Sequence, residues 1–119
     1  MKFFKRNDTI DLAATANGAA LHLTTMQGYS ISAVWTDAGS LGGSFKLQGS
    51  NNAFTDNVNN NENSSATWVD VVGSSVAVSG ASSQLWNVSD VYYGAARVVW
   101  TRTGGSGTYT SVTIAKSVY

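Results

Sequence analysis

"AARVVWTRTGGSGTYTSVTIAK", residues 95–116, alternates side chains with a period of two on either side of a glycine-rich tetrad. Ala96, Val98 and Trp100 share one face of the first run, opposed to Arg97, Val99 and Thr101. In the second run Val112 and Ile114 share a face with Thr108 and Thr110. Successive Cβ atoms of a strand point to opposite sides, and β-branched and aromatic residues suit a pleated surface, so both runs read as strands. With "GGSG", residues 104–107, between them, they are expected to form the last and longest hairpin of the chain. Apolar residues on both faces fit strands that cover a core on one side and meet a partner or a loop on the other.

The same alternation recurs outward from this stretch. "TIDLAATANGAALHLTT" (residues 9–25) places Ile10, Leu12, Ala14 and Ala16 before Asn17-Gly18, a pair suited to a type I′ turn. Pairing outward from it sets Ala16 opposite Ala19, Ala14 opposite Leu21 and Leu12 opposite Leu23. His22 then falls on the opposite face beside Ala13, as a surface or interface residue. "GYSISAVWT" (28–36) puts Tyr29, Ile31, Ala33 and Trp35 on one face, and "SFKLQGS" (44–50) turns Phe45 and Leu47 inward. "TWVDVV" meets "SVAVS" across Gly73-Ser74, pairing Val71 with Val76 and Val69 with Val78. "QLWNVSD" (84–90) supplies one more short strand.

No segment keeps helical periodicity. The expected fold is therefore all-β: a single antiparallel β-sandwich, jelly-roll-like, of eight or nine short strands with little helix. Residues 10–119 make the sandwich domain, and residues 1–9 an N-terminal arm in which Phe3 and Phe4 could dock on a neighbour while Lys5 and Arg6 meet its acidic surface. The chain of 119 residues is 43% hydrophobic, enough for one two-layer core. No proline guards the edge strands.

Charge narrows the function. Only 12% of residues are charged, against about 25% in soluble domains, and seven basic side chains balance seven acidic ones. Neither a nucleic acid nor an anionic membrane is expected as partner. The start "MKFFKRNDTIDLAA" lacks the apolar run of a secretion signal, so the chain is expected to remain at first in the cytoplasm where it is made. With no cysteine, thiolate metal sites and thiol nucleophiles are excluded.

Reaction chemistry is absent from the pattern. The carboxylates are scattered, with no pair placed for glycoside hydrolysis, and "GGSG" lacks the Lys-Ser/Thr pair of a phosphate loop. No catalytic, metal or cofactor residue is assigned, and no enzyme is expected. "DNVNNNEN" (56–63) offers hard oxygen ligands, yet Val58 stands at the third position of the calcium-loop pattern and no glycine follows. A calcium site would need ligands from distant loops. The four tryptophans fall in strand-like runs and read as core more readily than as a sugar platform. Residues 51–68, "NNAFTDNVNNNENSSATW", hold seven asparagines in their first thirteen positions. So long and uncharged a connection suggests partner contact through Asn57, Asn59, Asn60 and Asn61.

"GSFKLQGSNNAF" followed by "TWVDV", and then "ARVVWTRTGGSGTYTSVTIAKS", resembles small β-sandwich virion proteins of tailed bacteriophages and prophages. The Ser-Asn with a downstream Trp is also similar to discoidin-type sandwiches, many of which bind glycans. The phage resemblance implies a structural virion protein, a capsid decoration or auxiliary protein in many copies, with the major capsid protein or other virion proteins as partners and itself as a homo-oligomer. The alternative it implies is a carbohydrate-binding module on a phage surface contacting host glycans.

Overall fold

Alternating residues form strands over 28–35, 44–50, 84–88 and 95–103 as the pattern places them, while residues 12–15 leave the expected strand and 67–72 keep only two residues of theirs. The computed structural model describes residues 3–54 and 62–117, with strands β1 (Phe3–Asp11), β2 (Ala16–Asn17), β3 (Leu21–His22), β4 (Met26–Trp35), β5 (Gly39–Ser50), β6 (Val69–Asp70), β7 (Val76–Val78), β8 (Ser82–Val88), β9 (Ala95–Ser106) and β10 (Thr108–Ser117). No helix occurs among the described residues. One sheet has the order β1-β10-β4-β8. The other runs β2-β9-β5-β6, with β3 also on β9 and β7 also on β5.

β2 and β3 are two pieces of one strand position, as are β6 and β7, so eight positions form two four-stranded layers. The first half of the chain returns along the second: β1 on β10, β2 and β3 on β9, β4 on β8, β5 on β6 and β7. A long hairpin rolled into two facing sheets is the jelly-roll arrangement. The expected sandwich is present, with longer strands than expected: β5 and β9 each run 12 residues.

The pairings depart from the expected local hairpins. Asn17-Gly18 is not a turn; the chain runs on beside β9, from Ala16↔Trp100 through Gly18 N donating to the Val98 carbonyl at 2.7 Å to Leu21↔Ala96. β6 and β7 lie end to end along β5 instead of pairing with each other. β9 and β10 belong to different sheets, joined by Gly107 alone. Nor are residues 3–9 an arm: they pair with β10 from Phe3↔Lys116 to Thr9↔Thr110 as the outer strand of their sheet. Alternation decides which side chains turn inward but not which strand lies alongside, because either pairing buries the same residues.

Between the sheets, Phe45 is wholly buried, with ring centroids of Trp100, Trp35 and Tyr109 at 4.6, 4.8 and 5.1 Å. Each buried indole also needs an acceptor for its N–H. Trp35 donates to the Gly80 carbonyl (3.0 Å), Trp86 to Ser74 (2.9 Å) and Trp100 to Leu12 (3.2 Å). The aromatic core thereby holds three connecting segments in place.

Candidate functional site

The chain connections divide between the two ends of the sandwich. At one end the chain crosses between sheets after β1, β4 and β9; at the other, β5 gives way to the asparagine-rich connection. That loop-bearing end also receives the start of β1. Phe4 and Arg6 alternate with Phe3 and Lys5, so the two pairs face opposite sides of the strand. Phe3 is 70% exposed on the outer face beside Lys116, and Phe4 remains 44% exposed at the cleft described next.

Phe4 and Arg6 line a cleft of about 340 Å³ with Leu21, His22, Phe54 and Glu62. Arg6 is held by the backbone: its guanidinium donates to the Ala20 carbonyl at 2.8 Å and to Ala19 at 3.0 Å. Asp8 accepts from the Ala19 amide at 3.2 Å, which completes a clamp between β1 and the extra residues separating β2 from β3. His22 packs edge-on against Phe54 at 4.6 Å and shares a 3.2 Å hydrogen bond with the Thr24 hydroxyl. The cleft thus combines apolar side chains with one fixed cation and one acid.

Phe54 and Glu62 are the roots of the asparagine-rich connection and pair with each other as an isolated bridge. Asparagines near the roots have structural work. Asn52 Oδ1 accepts from the Thr67 amide (2.9 Å) and the Ser50 hydroxyl (3.0 Å), Asn51 Oδ1 from the Gly94 amide (3.0 Å), and Asn63 Nδ2 donates to the Asn52 carbonyl (3.0 Å). Side-chain amides substitute here for a backbone ladder. Asn52→Ala should cost about 1 kcal/mol locally, read as roughly five-fold faster hydrogen exchange at the Thr67 amide with the β4 amides unchanged. Unchanged exchange at Thr67 would show that the pinning is unimportant. Asn57, Asn59, Asn60 and Asn61, the loop residues expected to meet a partner, lie outside the described residues.

Trp68 departs from the expected core placement. It stands just before the two-residue β6 and stacks on the outer face of its sheet, with the Arg97 guanidinium carbon 4.2 Å from the ring centroid. Arg97 in turn donates twice to Gln48 Oε1 (3.0 and 2.9 Å), and Gln48 and Lys46 both donate to Asp70 at 3.0 Å. The Gln48 hydrogen bond and then Lys46 hold the Asp70 carboxyl below its ordinary pKa, while partial burial lowers that of Arg97. Beside this ladder a groove of about 660 Å³ is bordered by Asn51, Asn52, Asp70, Val72 and Tyr93. The Tyr93 hydroxyl shares a 2.8 Å hydrogen bond with that of Tyr29; burial, more than this bond, raises the Tyr29 pKa.

Among the described residues no three His, Asp or Glu side chains gather as metal ligands. The two features of this end are therefore a cleft suited to a mixed apolar and charged contact and a polar ladder capped by one tryptophan.

No family model and no curated protein matches the chain. Among solved structures, its fold is similar to that of the SPBc2 prophage-derived protein YomS, at 9% identity over 96% of each chain with a TM-score of 0.54. A protein of the Bacillus endospore appendages, described as disulfide-linked pili, aligns at 13% identity over 97% of this chain and 88% of that one, with a TM-score of 0.46. At 9% identity it is the two-layer sandwich alone that this chain shares with the prophage-derived protein.

Proposed function

We propose that the protein is a non-enzymatic structural component of a phage-type particle, present in many copies, decorating a capsid through contacts with the major capsid protein. One observation carries the reading: Phe4 and Arg6 meet Phe54 and Glu62 in a single cleft, so two segments distant in sequence form one contact surface. Apolar side chains there gain from burial by a neighbour, and Arg6, already fixed by two carbonyls, loses little freedom on binding. The shared sandwich of a prophage-derived protein is in keeping with this.

The test is mass spectrometry of particles purified after induction of the source strain. The chain should co-purify at tens of copies or more per particle, and Phe4→Ala with Phe54→Ala should lower its occupancy while leaving the isolated protein folded. Its absence from purified particles would remove the reading. Trp68 favours a second reading, carbohydrate contact, since it is a tryptophan outside the core, beside a groove that combines the apolar Val72 and Tyr93 with the polar Asn51, Asn52 and Asp70. Glycan-array binding that is lost in Trp68→Ala would support that reading, and no binding by the wild type would end it.

A further inference from the structure

The two free edges of the β1-β10-β4-β8 sheet are unequally guarded. β1 carries Lys5, Arg6, Asp8 and Asp11, and Arg6 and Asp8 clamp it to the Ala19–Ala20 backbone. Charges along an edge strand discourage the addition of another strand. β8, "SSQLWNV", has no charge and no proline, and its seven residues pair with β4 in unbroken register from Ser82↔Trp35 to Val88↔Tyr29. It therefore lacks three common guards: charge, proline and a bulge. Its outward side chains are Ser83, Leu85 and Asn87, and Leu85 is 65% exposed. Val34, across from Ser83 and diagonal to Leu85, is 52% exposed on the same face.

We propose that β8 is a homotypic interface: two copies pair their β8 strands antiparallel about a two-fold axis at Leu85, joining two four-stranded sheets into one of eight strands. The occupant is a second copy because the strand suits itself. In that register Leu85 meets its own equivalent, Ser83 meets Asn87, Gln84 meets Trp86, and no like charges oppose one another. The outward residues of both copies stay outward, so Leu85 and Val34 of each merge into one apolar stripe across the axis. β1 of another copy is the poorer partner, being charged and already clamped. Pairing β8 on β1 would also be head-to-tail and would build open chains instead of a closed pair. The inference goes beyond the particle reading and does not depend on it.

Sedimentation equilibrium of the purified chain tests it. The wild type should be a dimer, and Leu85→Lys or Leu85→Glu alone should weaken association by roughly 100-fold, because each removes the central apolar contact and sets like charges face to face within an interface. Circular dichroism should be unchanged, since the substituted side chain is exposed. Mixing the two variants in equal amounts should restore dimers through Lys–Glu pairs, a readout that misfolding could not produce. As the chain has no cysteine, Leu85→Cys should also give a covalent dimer on mild oxidation where Ser83→Cys does not. A monomeric wild type, open polymers, or single variants that remain dimeric would overturn the interface. A monomer that still enters particles would overturn this inference and leave the particle reading standing; a dimer absent from particles would do the reverse.

Discussion

Phe45→Ala should lower the stability of the fold by about 4 kcal/mol, the middle of the range for removal of a buried ring. Phe45 has no exposure, and the rings of Trp35, Trp86, Trp100 and Tyr109 all lie within 6.4 Å of its own. Those four come from β4, β8, β9 and β10, while Phe45 comes from β5, so both sheets border the hole that the substitution leaves. Collapse around it is resisted because Trp35, Trp86 and Trp100 are each tethered through the indole N–H to a connecting segment. A domain of this size is ordinarily stable by about 5–15 kcal/mol, so the loss is a large fraction of the whole. The melting temperature should fall by about 15 °C. Phe45→Leu keeps much of the volume and should cost about 1.5 kcal/mol. Denaturant melts of the three proteins with equal slopes would give these values, and a Phe45→Ala loss below about 1 kcal/mol would refute the central role of the ring.

That Phe45 lies inside was legible, since Phe45 and Leu47 alternate with Lys46 and Gln48. Tyr29, Ile31, Ala33 and Trp35 were legible by the same rule. The partners of these strands were not. In this topology β1 pairs with β10 and β2 with β9, contacts that join opposite ends of the chain, and no local signal specifies them. Asn17-Gly18 shows how turn chemistry misleads: the pair is competent for a tight turn, yet the chain runs straight through it beside β9. Gly18 instead lets the Asp8 carboxylate lie close to the chain: a Cβ at this position would be 2.8 Å from it and would push that side chain aside.

The candidate site was legible in its pieces. The phenylalanines and cations of residues 3–6 stand out in composition, and the asparagine tract stands out in length. Their convergence with His22 depends on β3 lying beside β9, which only the rolled topology provides. Trp68 was missed because "TWVDVV" reads as a continuous strand. In the structure the ladder shrinks to Val69–Asp70, and Trp68 falls outside it, over an outward Arg97 whose position the alternation of residues 96–101 had already given.

The tetrad "GGSG" is where the two readings of residues 95–116 differ most, and its glycines separate them. In a free hairpin turn an alanine at residue 104 and one at residue 107 would have similar effects. In the rolled fold they should not. Gly107 is the single residue between β9 and β10 and is buried where the chain passes from one sheet to the other. Its carbonyl accepts from the Leu12 amide at 3.0 Å, and the neighbouring Thr36 amide donates to the Thr108 carbonyl at 2.9 Å, so three crossing segments are hydrogen-bonded side by side. A Cβ on Gly107 would collide with the Thr36 carbonyl oxygen and press on the Leu41 side chain. The Thr36 contact is with backbone, in a residue whose amide is bonded to Thr108, so relief requires the crossing itself to shift; Gly107→Ala should cost about 3 kcal/mol, the upper end for overpacking, and lower the melting temperature by about 10 °C. Gly104 has open space where its Cβ would be, so Gly104→Ala should stay within about 0.5 kcal/mol of wild type. Equal effects at the two positions would restore the hairpin and contradict the crossing. A large loss at residue 107 beside a neutral change at residue 104 is the result that the crossing requires, because at residue 107 the path between the sheets leaves no room for a side chain.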